Sequence, residues 1–356
     1  MELKYKPDFE EAKRYWRAFW DKEIIDRPCV IITSPKNGLI QSPHPPYMAG
    51  SDGNYKEALE MYESWASTIY FGAEAIPFFE ISLGPDEIAA SLQGAGELVK
   101  DEETKTSWLN PFVKDWNSFP EIKIDEESAA WKRIIDFYQY GATFSEGKFL
   151  LGGLDFHTNM DLLRAIRGSD NLCIDLLDCP EEIEKRMKEA RKIFPFVYEA
   201  MYKAGRMKER GTIGWIPLYC EGRFAVIQCD FICMISPALS RKFVIPALEE
   251  EASYLDHCIY HLDGPGTFPH LDDILAISKI DAIQWVPGDG QPPHIRWMDL
   301  FKKILSRNKS VIIYPNSIEE IKIFHKELGP KGVVYQIGLP SEKEAEELIT
   351  WLRIHT

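Results

Sequence analysis

The sequence predicts an α/β protein with a (β/α)8 TIM-barrel fold, and three observations carry that expectation. From about residue 28 onward, eight short β-rich runs alternate with amphipathic helical stretches. The 356 residues contain no low-complexity linker or internal repeat that would divide them, so a single domain over 1–356 is expected. The first strand is followed by Thr33-Ser34-Pro35-Lys36-Asn37-Gly38. That turn lacks the glycine-rich phosphate pattern that an open doubly wound sheet usually carries there.

The elements follow in order. Residues 1–27 read as an N-terminal helical extension, whose amphipathic helix over 9–22 is expected to close the bottom of the barrel. Strands are expected at 29–33, 76–81, 148–151, 212–216, 258–262, 282–286, 310–314 and 332–336, each a short apolar, β-branched or aromatic run. Between them, helical periodicity covers 55–71, 126–140, 161–167, 180–203, 237–256, 299–305, 318–328 and 341–352. Start signals support two of these. Asp178-Cys179-Pro180-Glu181-Glu182 sets Pro and acids in a first turn, and Ser236-Pro237 pairs a cap with Pro at the next position.

Composition narrows the partners. With a formal net charge of -15 and pI near 5.1, no nucleic-acid or anionic-membrane partner is expected, because both need a cationic face. A small-molecule substrate or another protein is expected instead. No apolar run approaches the roughly 18 residues of a spanning helix, and the charged start lacks the apolar core of a signal peptide, so a cytoplasmic location is expected. Seven scattered Cys with no CxxC argue for reduced thiols rather than a disulfide framework. Nucleotide hydrolysis, zincin proteolysis and α/β-hydrolase chemistry lack their motifs: there is no GxxxxGK[ST], HExxH or GxSxG.

What remains is a set of polar residues at predicted strand ends, where barrels place their chemistry. In an extended 257–263, His257, Ile259, His261 and Asp263 share one face, and Gly264-Pro265-Gly266 follows at once. His261 and Asp263 are therefore the central catalytic candidates. Asp155 and His157 follow the third strand, and they fit either a pocket or a helix cap near Asn159. Beyond the fourth lie Trp215, Tyr219, Cys220, Glu221 and Arg223; beyond the sixth, Gln284 and Trp285. Asp230 sits inside the apolar run CDFICMIS and needs a partner or ligand to offset its burial. Glu221 and Asp230 join the catalytic candidates. Asp155, His157, Trp215, Tyr219, Arg223, Gln284 and Trp285 are the candidates for substrate binding, with the aromatic members suited to a flat or methylated molecule or to core filling.

These residues resemble the uroporphyrinogen decarboxylase superfamily, which includes tetrapyrrole decarboxylases and corrinoid-dependent methyltransferases. The resemblance runs through Asp26-Arg27-Pro28, Leu83-Gly84-Pro85, Leu163-Arg164-Ala165-Ile166-Arg167-Gly168 and Asp175-Leu176-Leu177-Asp178-Cys179-Pro180-Glu181. It continues in Cys229-Asp230-Phe231, Ile235-Ser236-Pro237, Phe243-Val244-Ile245-Pro246 and Tyr260-His261-Leu262-Asp263-Gly264. It implies a (β/α)8 barrel with a pocket at the carboxyl ends of its strands. The decarboxylases carry an Arg-Gln-Ala-Gly-Arg-Tyr motif that clamps substrate carboxylates; here the region reads Ile31-Ile32-Thr33-Ser34-Pro35-Lys36-Asn37-Gly38.

The chain is accordingly nearer the methyltransferase branch. Coenzyme M-type members of that branch hold zinc through His-x-Cys and a distant Cys, whereas this chain has His261-Leu262-Asp263, and Tyr314-Pro315-Asn316 at the later strand end. The resemblance implies a methyltransferase moving a methyl group between a small methylated substrate (methoxyl, methylamine or methylthiol) and a corrinoid carried by a partner protein. Zinc held by His261, Asp263 and Cys220 is one version. A metal-free version makes His261, oriented by Asp263, a general acid. The alternatives are decarboxylation of a tetrapyrrole or another carboxylate, which predicts a cationic pocket floor, and a non-catalytic corrinoid- or tetrapyrrole-binding barrel.

Overall fold

The structure is a computed structural model that describes residues 2–101, 103 and 105–356. Seven strands form the central sheet in the order Ile69–Ala73, Cys29–Pro35, Val333–Gly338, Ser310–Ile313, Ala282–Val286, His257–Asp263 and Phe224–Ile227. Every neighbouring pair is parallel except the first, where Ile69–Ala73 runs antiparallel to Cys29–Pro35. Helices separate most of these strands along the chain, so the architecture is mixed α/β with a mostly parallel sheet. The parallel strands read as unbroken apolar runs, such as Val333-Val334-Tyr335 and Ser310-Val311-Ile312-Ile313, because both of their faces are buried.

The sheet is not closed. Phe78–Phe79 pairs in parallel with Leu150–Leu151, and Gly152 bridges to Ile213, but among the described residues no ladder joins these short strands to the large sheet. On one side the interruption has a visible cause: after the first strand the chain doubles back as Ile69–Ala73 and takes the ladder position beside Cys29–Pro35. Lys6 pins that edge, its Nζ donating to Phe71 O (2.9 Å) and Ala73 O (2.6 Å). Of the (β/α)8 barrel that the sequence predicts, the structure therefore shows the mostly parallel α/β sheet, without closure of its ladder among the described residues.

The fourth predicted strand needs the largest correction. Only Thr212–Ile213 is extended, and it forms an antiparallel hairpin with Tyr219–Cys220, in the register Thr212↔Cys220 and Ile213↔Tyr219. A strand that pairs with His257–Asp263 is Phe224–Ile227, which none of the expected strands covers. Two predicted helices also divide. The span 180–203 becomes Pro180–Ala190 and Ile193–Ala204, and 237–256 becomes Pro237–Phe243 and Ile245–Tyr254, the latter with Pro246 in its first turn.

The N-terminal helix Phe9–Trp20 lies across the strand starts. Trp20 stacks on His257, the first residue of its strand (ring centroids 4.6 Å), and donates from Nε1 to Tyr219 O (2.8 Å). The strand starts are thus covered, and the opposite, carboxyl ends are left for a site. Among the described residues, no helix is long and apolar enough to cross a membrane.

Candidate functional site

Three strand ends and one helix start converge. Phe224–Ile227 runs out into Gln228, Cys229 and Asp230; His257–Asp263 ends with His261 and Asp263 on one pleat face; Ala282–Val286 supplies Gln284, paired in register with His261. The helix Asn159–Arg167 brings Asp161 in its first turn.

Asp161 organises the arrangement. Its fully buried carboxylate accepts the backbone N–H groups of Asp230 and Phe231, both at 2.9 Å, and so fixes the short 3-10 turn Asp230–Met234 that carries Asp230. Beside it His157 is almost fully buried, with Nε2 3.3 Å from Asp155 Oδ2 and Nδ1 3.5 Å from Asp161 Oδ2. Burial disfavours a charged imidazole, yet the flanking Asp155 and Asp161 outweigh it and hold the His157 pKa well above its ordinary value. Asp155 is lowered in turn, because His157 overcomes the cost of its burial, and it also accepts from Gln228 Nε2 (2.5 Å).

Asp230 links two groups. Ligating atoms of His157, Asp161 and Asp230 lie within 4.8 Å of one another, and so do those of Asp230, His261 and Asp263. Burial and then repulsion from Asp161 push Asp230 up to about 6, which sets it apart from ordinary surface acids. His261 Nδ1 is hydrogen-bonded to Gln284 Oε1, and Gln284 Nε2 donates to Tyr314 OH (3.2 Å). That chain assigns the proton to Nδ1 and leaves Nε2 as the free ring nitrogen. An imidazole and two carboxylates form a hard, oxygen-rich donor set that suits a divalent cation.

Other predicted site residues are not brought to this place. Glu221 is bound by Arg17 on the N-terminal helix, whose Nη2 donates at 3.0 Å, and faces Lys13; the Arg17 hydrogen bond holds its pKa below the usual value. Cys220 is buried, its thiol pushed up to about 12 by that burial, with Gly222 N donating to its sulfur. Tyr219 packs edge-on against Phe9 and donates to Arg210 O (3.0 Å). Arg223 pairs with Glu199. All four lie toward the strand starts for one reason: the antiparallel hairpin turns the chain back after Trp215, so residues 219–223 point away from the carboxyl ends. Trp285 alternates with Gln284 and so faces outward, buried against Phe268 and Trp297 (5.1 and 5.0 Å). Trp215, at the hairpin turn, does reach the site and meets the His261 ring edge-on at 5.2 Å.

The broken part of the sheet holds a cavity of about 350 Å³ between Cys29–Pro35 and Phe78–Phe79. Tyr, Trp and Phe side chains form much of its wall, Trp215 is shared with the His261 cluster, and Thr33, His44, Glu80 and Gln336 supply polar groups. Glu80 and the nearby Glu87 were not singled out by sequence. Burial, then Asp155 and Glu87, raise Glu80 well above an ordinary carboxyl, and burial raises Glu87 to about 8. Asp161, Glu80 and Glu87 sit in apolar or helical stretches with no local motif; only their three-dimensional neighbours mark them.

No protein-family model and no curated protein matches the sequence. A solved structure described as a methyltransferase from Methanosarcina mazei resembles the fold with a TM-score of 0.61, covering 96% of this chain and 98% of that one at 13% identity. At that identity the likeness is one of fold.

Proposed function

We propose that the protein is a methyltransferase that moves a methyl group between a small methylated substrate and a corrinoid carried by a partner protein, within an incompletely closed (β/α)8 barrel of the uroporphyrinogen decarboxylase type. The observation that carries this reading is the meeting of Asp230, His261 and Asp263 at strand ends beside an aromatic cavity, with Trp215 belonging to both. The methyltransferase described for the similar fold fits the same chemistry.

The transfer breaks one bond from methyl carbon to a heteroatom and leaves the electron pair on that heteroatom. The methyl group passes to a nucleophile, for which a cobalt(I) corrinoid is the class proposed. A divalent cation held by Asp230, His261 and Asp263 would polarise the departing heteroatom as a Lewis acid. The residues themselves orient the site: Gln284 fixes the His261 ring, Asp161 fixes the Asp230 backbone, and Trp215 lines the cavity while meeting the His261 ring. Cys220 does not belong to this donor set, since it lies with the strand starts.

The decarboxylase alternative expects a cationic floor for a polycarboxylate. Glu80 makes the opposite, and among the described residues no Lys or Arg lines the cavity, where the one basic side chain, His44, is hydrogen-bonded through Nδ1 to Pro45 O. The test is to mix the purified protein with cob(I)alamin and a panel of methoxyarenes, methylamines and methyl thioethers, and to follow methyl-cobalt absorbance. Transfer from one donor class, lost in His261→Ala, is expected. Failure with every donor, while a known corrinoid methyltransferase succeeds in the same assay, overturns the proposal.

A further inference from the structure

The cavity in the broken sheet has a composition that selects among methylated donors. One wall is a continuous set of rings: Tyr62 lies 5.4 Å from both Trp65 and Phe79, and Trp65 lies 5.8 Å from Phe71. Trp215 adds a further ring to the lining. Into this aromatic enclosure come two polar atoms, Glu80 Oε2 and Gln336 Oε1, both buried and without a hydrogen-bond partner. Buried polar atoms left unpaired cost free energy, and in a native protein they ask for a ligand or water.

We propose that this cavity binds a methylated ammonium group, quaternary or tertiary, with its methyls and positive charge against the Tyr62, Trp65 and Phe79 rings and Glu80 as the counter-charge. The proposal deepens the methyl-transfer reading and rests on it for the purpose of binding, though binding itself needs no transfer. Ring faces carry negative charge density and attract cations, most strongly when water is excluded. A carboxylate ligand would instead face Glu80, with no Lys or Arg among the described lining residues and with the His44 Nδ1 already engaged by Pro45 O. A neutral methyl ether would use the rings but gain nothing from a charged Glu80. Burial raises the Glu80 carboxyl well above its ordinary value, so an entering cation would favour its ionised form and cation affinity would rise with pH. Contact of Trp215 with the His261 ring places the cavity beside the Asp230–His261–Asp263 cluster, where a methyl group would have to be delivered.

The test is calorimetric titration of the full-length protein with choline, tetramethylammonium and 3,3-dimethyl-1-butanol, the last being a neutral copy of choline's shape. Choline is expected to bind at least about tenfold tighter than the neutral copy, the factor a desolvated cation–π site provides. Repeating the titration in buffers of different ionisation enthalpy is expected to show proton release. Glu80→Gln should weaken choline at least about fivefold while barely changing the neutral alcohol, and Trp65→Leu should weaken both ammonium probes; circular dichroism checks that each variant is folded. Equal binding of choline and its neutral copy, or no saturable binding of either ammonium probe, overturns the inference even if methyl transfer from a methoxyarene is found. Tight choline binding with no transfer from any donor would instead sink the methyl-transfer reading and leave this site standing.

Discussion

Replacing Asp161 with Asn tests the element on which the site geometry depends. The two carboxylate oxygens accept two backbone N–H groups at 2.9 Å, from Asp230 and Phe231, and also face the His157 ring. An Asn side chain has almost the same shape but only one acceptor oxygen, so its NH2 must meet one of those N–H donors. One buried charge-assisted hydrogen bond is lost, worth about 1.5–3 kcal/mol, and His157 loses one of the carboxylates that flank it. Together these put the destabilisation at about 3–5 kcal/mol, a large share of the roughly 5–15 kcal/mol available to a folded domain. Urea titration of wild type and Asp161→Asn measures this loss. Imidazole NMR titration of His157 is expected to show a lower pKa, since a group that raises it has gone. A loss below about 1 kcal/mol, with the His157 titration unmoved, would refute the assigned role.

Three further outcomes follow from placement. Trp285→Ala is expected to cost about 3–5 kcal/mol of stability through its outward-facing aromatic cluster, while leaving choline affinity within twofold; a selective loss of ligand binding would restore it to the pocket. Glu221→Ala removes an exposed pairing with Arg17 and Lys13 and should change stability by less than about 1 kcal/mol, with metal content by elemental analysis unchanged; loss of a bound metal would place Glu221 in the site. Glu251 is fully buried, accepts from Thr158 Oγ1 (2.6 Å) and Asn159 Nδ2 (3.1 Å), and is raised by burial to about 8 from an ordinary 4.5. The folded state therefore binds its proton more tightly than the unfolded one. Its contribution to stability is complete below pH 4.5 and is lost as pH rises toward 8. Glu251→Gln should flatten that part of the stability-pH curve in denaturant titrations, and an unchanged slope would count against the assignment.

Much of the fold was legible because apolar periodicity is local. The last four parallel strands were visible as β-branched runs between amphipathic helices, and the helix over Ile318–Leu328 coincides with its periodic stretch. Phe224–Ile227 was not, since a four-residue strand directly after a turn offers too short a pattern. His261, Asp263 and Gln284 could be named because pleat alternation and a following turn are written in adjacent residues. The same reasoning failed for Trp285, one residue from Gln284, and for residues 219–223, where antiparallel pairing reversed the chain direction.

By itself, then, the sequence determined an α/β alternation, an acidic chain of formal net charge -15, and a His and an Asp sharing a strand end. Only the tertiary structure decided that the sheet stays open beside Cys29–Pro35, that the opening holds an aromatic cavity with Glu80, and that Asp161 ties Asp230 to the site. The division has a physical reason. Side-chain alternation and helix period depend on neighbours a few residues away. Sheet closure, a shared carboxylate and the burial that shifts a pKa depend on residues tens to hundreds of positions apart, which meet only once the whole chain has packed.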